Sequence, residues 1–133
     1  MIIREIFLID DDRDDTEIFR EALESMDRDL LYSSAINPIE ALKDLRESDK
    51  YPDIIFLDIN MPRMNGYEFL RSVKNTKGLK EVPVILMSDP KKEFIIPHIK
   101  QYDKVGYMAK PLSFSGLKSS LKQVLEITEK ALS

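Results

Sequence analysis

The sequence predicts an α/β domain built on a parallel sheet with helices on both faces. Three observations point there. Short runs of apolar, largely β-branched residues recur along the chain, segments with apolar residues at helical spacing lie between them, and the runs end on polar residues. Near-continuous apolar strands suit a sheet buried on both sides, and their alternation with amphipathic helices implies parallel pairing.

Taken in order, Ile2-Ile3 and Ile6 to Ile9 make the first strand. A helix follows with Ile18, Phe19, Ala22, Leu23 and Met26 on one face. Asp12, Asp14 and Asp15 suit its N-cap and first turn, where carboxylates satisfy free amides and complement the helix dipole. Leu30 to Ile36 is a second, more polar strand, and Asn37-Pro38 caps and opens a helix carrying Ile39, Leu42 and Leu45. Tyr51-Pro52-Asp53 is a turn before the clearest buried strand, Ile54 to Leu57, which Asp58 closes. A loop from Ile59 to Gly66 precedes a helix with Phe69, Leu70 and Val73. Val82 to Met87 is the fourth strand, ending at Ser88-Asp89-Pro90. Lys91 to Tyr102 is weakly helical and interrupted by Pro97, while Lys91-Lys92 reads as a solvated helix start. Tyr107 to Ala109 is a short fifth strand ending at Lys110-Pro111. The last helix carries Phe114, Leu117, Leu121, Val124, Leu125 and Thr128.

At 133 residues, without repeats or linkers, the expectation is one domain over 1–133 and no output domain. A composition 43% hydrophobic and 33% charged excludes a disordered chain. The longest apolar runs hold four residues, so no membrane span and no signal peptide is expected, and the plain reading is cytoplasmic. A net charge of −4 gives no nucleic-acid footprint. With no cysteine and one histidine, disulfides, thiolate sites and two-histidine metal sites are all excluded; His98 reads as a surface residue.

Ligands of an open parallel sheet bind beyond the carboxyl ends of its strands. Asp10-Asp11, Asp58, Ser88 and Lys110 stand at those ends. Two unit charges 4 Å apart repel by about 4 kcal/mol at an effective dielectric near 20. A hard divalent cation removes that cost, and an all-oxygen site suits Mg²⁺. The hydroxyl of Ser88 and the ammonium of Lys110 are groups that hold phosphate oxygens. Together these residues describe a Mg²⁺-assisted phosphoryl site.

At this point the sequence resembles the receiver domain of two-component response regulators. The resemblance rests on Phe7-Leu8-Ile9-Asp10-Asp11-Asp12, Phe56-Leu57-Asp58-Ile59-Asn60-Met61-Pro62 with Gly66, Val84-Ile85-Leu86-Met87-Ser88, and Gly106-Tyr107-Met108-Ala109-Lys110-Pro111. With Asp14-Asp15, the acidic cluster is similar to that of stand-alone receivers paired with phytochrome-like kinases. The resemblance implies a flavodoxin-like (βα)5 sheet of order 2-1-3-4-5. It makes Asp58 the acceptor of a phosphoryl group from a histidine kinase or histidine phosphotransfer protein. It has Asp10, Asp11, Asp58 and the carbonyl of Asn60 hold Mg²⁺, with Ser88 and Lys110 on the phosphoryl oxygens. Tyr107 falls at the aromatic switch position coupled to Ser88. The receiver would catalyse only its own phosphorylation and dephosphorylation, and would act by partner binding or relay. The Lys110–Pro111 bond is expected to be cis.

Two departures from the family pattern stand out: Asp89 replaces the usual small residue, and Pro90 and Pro97 punctuate the fourth helix. A short turn near Pro90 to Glu93 is expected, then a helix from about Pro97 to Tyr102. Phe94, Ile95 and Ile96 would lie at the junction, leaving a patch beside Tyr107 for a homodimer or downstream protein. An alternative is a Mg²⁺-dependent phosphatase of the haloacid dehalogenase type. Asp10-Asp11-Asp12 fits its D-x-D only superficially, and Ser88-Asp89 stands where it needs an acidic pair. A pseudo-receiver acting as a constitutive binding module is opposed by the intact set of acids with Ser88 and Lys110.

Overall fold

The computed structural model describes residues 2–59, 66–89 and 96–132, with Ile96 and His98 described by backbone alone. Five parallel strands form one sheet: β1 (Glu5–Ile9), β2 (Leu31–Ala35), β3 (Ile54–Asp58), β4 (Val84–Ser88) and β5 (Val105–Ala109), in the order β2-β1-β3-β4-β5. This is the order expected. The helices are α1 (Arg13–Glu24), α2 (Pro38–Glu47), α3 (Gly66–Lys74), the single turn α4 (Ile96–Ile99) and α5 (Phe114–Ala131); a 3₁₀ turn spans Leu79–Glu81. Among the described residues, no helix is long and apolar enough to cross a membrane.

The apolar runs earn their burial. All five residues of β3 and of β4 are buried, whereas the edge strand β2 is largely exposed, matching its polar sequence. Strand alternation sorts the core into two layers. Ile6, Leu8, Ile54, Phe56, Ile85, Met87 and Met108 face α1 and α5, meeting Phe19, Leu23, Leu121 and Leu125. Ile9, Ile55, Leu57, Val84 and Leu86 face the other way, onto Leu42, Phe69, Leu70 and Val73. Carried to the carboxyl ends of the strands, the same alternation puts Asp10, Asp58 and Lys110 on the α1–α5 side. It puts Ser88 and Tyr107 on the side of α3. The site is thus already divided into a charged half and a hydroxyl half.

Phe56 is fully buried and meets Phe19 edge-on, with ring centroids 5.1 Å apart. Phe56→Ala is expected to destabilise the fold by about 3–5 kcal/mol, since lost transfer energy and the cavity add. Urea unfolding checks this; a loss under about 1 kcal/mol would mean that the two layers collapse freely around the vacancy.

Local chemistry sets the ends of the helices. Asp12 is the N-cap of α1, accepting from the amides of Asp14 (2.9 Å) and Asp15 (3.2 Å). Asn37 caps α2 by the same means, with Pro38 in its first turn. At the start of α3, a Cβ on Gly66 would lie 2.5 Å from the Ile59 Cα. Only glycine lets the returning chain lie against the residue after Asp58, where the Gly66 amide donates to the Ile59 carbonyl at 3.0 Å. At the opposite end of the sheet, Arg28 ties α5 to the segment leading into β1, donating to Glu129 (2.7 Å) and to the Ile3 carbonyl (2.9 Å).

Some expectations are corrected. The Lys110–Pro111 bond is trans, since the described residues contain no cis peptide bond. A trans X–Pro bond is the lower in energy by about 0.5–1 kcal/mol, and Lys110 reaches the crevice without the cis form. The helix expected from Pro97 to Tyr102 is the shorter α4; it ends at buried Ile99, whose carbonyl accepts from the Tyr102 amide. The turn expected near Pro90 to Glu93 and the patch built on Phe94 and Ile95 lie outside the described residues. So do the Lys91-Lys92 helix start and the side chains of Ile96 and His98. Ile18 and Ile39, read as core-facing, are 44% and 52% exposed.

Candidate functional site

The carboxyl ends of β1, β3 and β5 bring the charged residues together. Asp10 follows β1 with its amide bonded to the Ala35 carbonyl, which fixes it as one more rung beside β2. Asp58 ends β3. Both are nearly inaccessible, at 1% and 5% exposure, where an acid needs a strong reason to remain. Asp11 is more open, and one carboxylate oxygen from each of Asp10, Asp11 and Asp58 lies within 4.8 Å of the other two.

Lys110 answers this charge. Its amide donates to the Ser88 carbonyl (2.8 Å), so the backbone continues beside β4 and aims the side chain over the acids. Its Nζ lies 3.1 Å from Asp58 Oδ2, 3.3 Å from Asp15 Oδ2 and 3.5 Å from Asp10 Oδ2. Burial would lower the affinity of the ammonium for its proton, but Asp10, Asp58 and Asp15 outweigh it and hold Lys110 above the usual lysine range. Burial dominates at Asp10 and pushes its carboxyl up to about 6, against the opposing pull of the Asp12 amide and Lys110.

Asp10, Asp11 and Asp58 set against Lys110 leave two negative charges uncompensated before Asp15 is counted. An octahedral cation with oxygens at about 2.1 Å separates its ligand atoms by about 3.0 or 4.2 Å. The oxygens of the carboxylate trio, all within 4.8 Å of one another, are close enough to share such an ion. Its donors are all hard oxygens, so the residues present fit Mg²⁺ or Mn²⁺. The fourth expected ligand, the Asn60 carbonyl, lies outside the described residues.

The hydroxyl half stands on the next strand. Ser88 is 1% exposed; its hydroxyl donates to the Asp89 carbonyl (3.2 Å) and lies 3.0 Å from the Tyr107 hydroxyl. That hydroxyl is also 3.5 Å from the Asp89 carbonyl. The Tyr107 ring packs against the core layer shared with α3. The two residues that the resemblance pairs as a switch therefore touch.

One site residue escaped the sequence reading. Asp15 reads as an acid of the first helical turn, yet its carboxylate turns to Lys110, 95 residues along the chain. Beside the charged half, a cavity of about 640 Å³ opens between α1 and α5, floored by Met87 and Met108 and rimmed by Ile18, Leu112 and Phe114.

Comparison with known proteins gives the family and the fold. The family of response regulator receiver domains matches residues 6–122. The sensor histidine kinase CheAY of Helicobacter pylori is 30% identical over 122 residues, which are 92% of this chain but only 15% of that protein. Protein PilG of Pseudomonas aeruginosa is 30% identical over 117 residues, 88% of this chain and 84% of that one. Among solved structures, the phosphorylated cyanobacterial phytochrome response regulator RcpA superposes with a TM-score of 0.84 at 28% identity, covering 97% of this chain and 96% of its own. The Mn²⁺-bound form of response regulator Rcp1 has a TM-score of 0.79 at 21% identity, covering 91% of each chain, and shares the fold. Nothing among these relatives supports a phosphatase of the haloacid dehalogenase type. Receiver domains are signalling modules phosphorylated by histidine kinases, and by family match, sheet order and site composition this chain belongs to the response regulator receiver domains of two-component signalling.

Proposed function

We propose that the chain takes a phosphoryl group from the phosphohistidine of a histidine kinase or histidine phosphotransfer protein onto Asp58, and signals by phosphorylation-dependent protein binding or relay. The observation that carries this reading is the placement of Asp58. It is a buried carboxylate at the end of the central strand, 3.1 Å from the Lys110 ammonium and within the acidic trio.

In the transfer, an Asp58 oxygen attacks phosphorus as the phosphorus–nitrogen bond of the donor breaks, and the proton needed by the departing imidazole stays on the donor's side. Such a transfer asks the protein mainly for positioning and charge neutralisation. Lys110 gives up its contact with Asp58 and pairs with a phosphoryl oxygen. Ser88 turns its hydroxyl from the Asp89 carbonyl to another phosphoryl oxygen, and Tyr107, bonded to Ser88, follows it. Bound to Asp10, Asp11 and Asp58, a divalent ion would neutralise charge on the transferring group. The Mn²⁺-bound Rcp1 supports such an ion in this fold. The chain acts on no other substrate in this reading.

Incubation with acetyl phosphate and Mg²⁺, followed by intact-mass measurement, tests the proposal. A single stable phosphoryl adduct supports it. Continuous release of phosphate without an adduct would favour a phosphatase, and neither outcome would leave a binding module.

A further inference from the structure

The residue that the sequence reading passed over, Asp15, is tied to Lys110. It is the third residue of α1, a position from which an acid commonly reaches back to the amide of the N-cap. That role is taken: the Asp12 amide donates to Asp10 Oδ1 at 3.0 Å. The Asp15 carboxylate instead lies 3.3 Å from Lys110 Nζ, on the solvent side of the site, with 45% of its side chain exposed against 2% for Asp10 and 7% for Asp58. An ammonium has three donors and no acceptor. Here three carboxylates, Asp10, Asp15 and Asp58, stand within reach of them. Asp15 is outside the trio whose oxygens cluster closely enough for a metal.

We propose that Asp15 is a positioning residue of the phosphoacceptor site, drawing the Lys110 ammonium toward α1 and sharing its charge, so that an incoming phosphoryl oxygen has to compete for it. This rests on the phosphoacceptor reading of Asp58. When a phosphoryl group forms there, the contact between Lys110 and Asp58 passes to a phosphoryl oxygen. A divalent ion would neutralise Asp10. Asp15 is then the carboxylate that still pulls the ammonium outward. It also places a negative charge at the mouth through which an anionic donor enters, and such charge slows association in a way that salt screens.

Labelling rates of the parent and of Asp15→Asn, Asp15→Glu and Lys110→Gln, with acetyl phosphate and Mg²⁺, test this. Asp15→Asn is expected to raise the second-order rate about three- to tenfold at low salt, with the gain shrinking as salt is added. Asp15→Glu should stay near the parent. In the Lys110→Gln background, Asp15→Asn should keep only the salt-sensitive part of its gain, because the remainder acts through the pair. A second readout needs neither ion nor donor: in the metal-free protein, the Lys110 ammonium protons should exchange with water faster in Asp15→Asn. Equal rates and equal exchange in parent and Asp15→Asn would overturn the inference while leaving Asp58 as acceptor. No labelling of the parent would overturn the phosphoacceptor reading and this inference with it.

Discussion

Asp58→Asn is expected to abolish phosphoryl labelling, by at least about a thousandfold, the scale of loss when a nucleophile is removed. Asn keeps the shape of the side chain but its amide oxygen does not form an acyl phosphate. The other acids are poor substitutes for physical reasons. Asp10 is as deeply buried, but one oxygen accepts the Asp12 amide and burial raises its carboxyl to about 6. Asp11 is more open to solvent than the other two of the trio, and Asp15 stands outside it. Circular dichroism should show the variant folded, since Asn replaces an acid at a site crowded with negative charge. Labelling of Asp58→Asn at the parent's rate would place the acceptor elsewhere, with Asp10 the first residue to map.

The parts of this molecule that read easily from sequence are those governed by local period. Five consecutive buried residues in β3 and in β4 follow from Ile54-Ile55-Phe56-Leu57 and Val84-Ile85-Leu86-Met87, because a strand covered on both faces leaves no polar position. The α1 cap at Asp12 was equally legible. Alternation along the strands even assigns Asp10, Asp58 and Lys110 to one face and Ser88 and Tyr107 to the other. Periodicity serves less well at the rim of a helix. Phe114 keeps the helical spacing of Leu121 and Leu125 but is 45% exposed, because it lines the open cavity between α1 and α5. The Asp15–Lys110 contact was hidden for another reason: an acid in the first turn of a helix already has a sufficient local explanation. Only the topology, which brings the start of α1 and the end of β5 to one edge, supplies the second. The trans Lys110–Pro111 bond shows the opposite error, a feature expected from resemblance alone, with no local residue demanding it.

Removal of divalent ions should stop labelling and expose a cost that the ion otherwise offsets. With a chelator present, the labelling rate is expected to fall at least about a hundredfold, because the acidic trio repels an anionic donor with only Lys110 to balance it. The same repulsion and burial should appear in stability. The Asp10 carboxyl stands at about 6 in the fold against 3.8 when unperturbed. The fold therefore binds more protons than the unfolded chain between those values, and this group's contribution to stability falls as pH rises through the window. Above about pH 6 and without an ion, it costs on the order of 3 kcal/mol. Asp10→Asn removes the titrating group and keeps an oxygen for the Asp12 amide. In chelator, the variant should gain on the parent by about that amount from pH 4 to pH 7.5, as read by urea unfolding. Mg²⁺ should then stabilise the parent but hardly the variant, and its apparent affinity for the parent should drop by up to about tenfold per pH unit below pH 6, as protons compete for Asp10. Parallel stability curves for the two proteins across this range, or equal stabilisation by Mg²⁺, would show that Asp10 is neither strained in the fold nor a ligand.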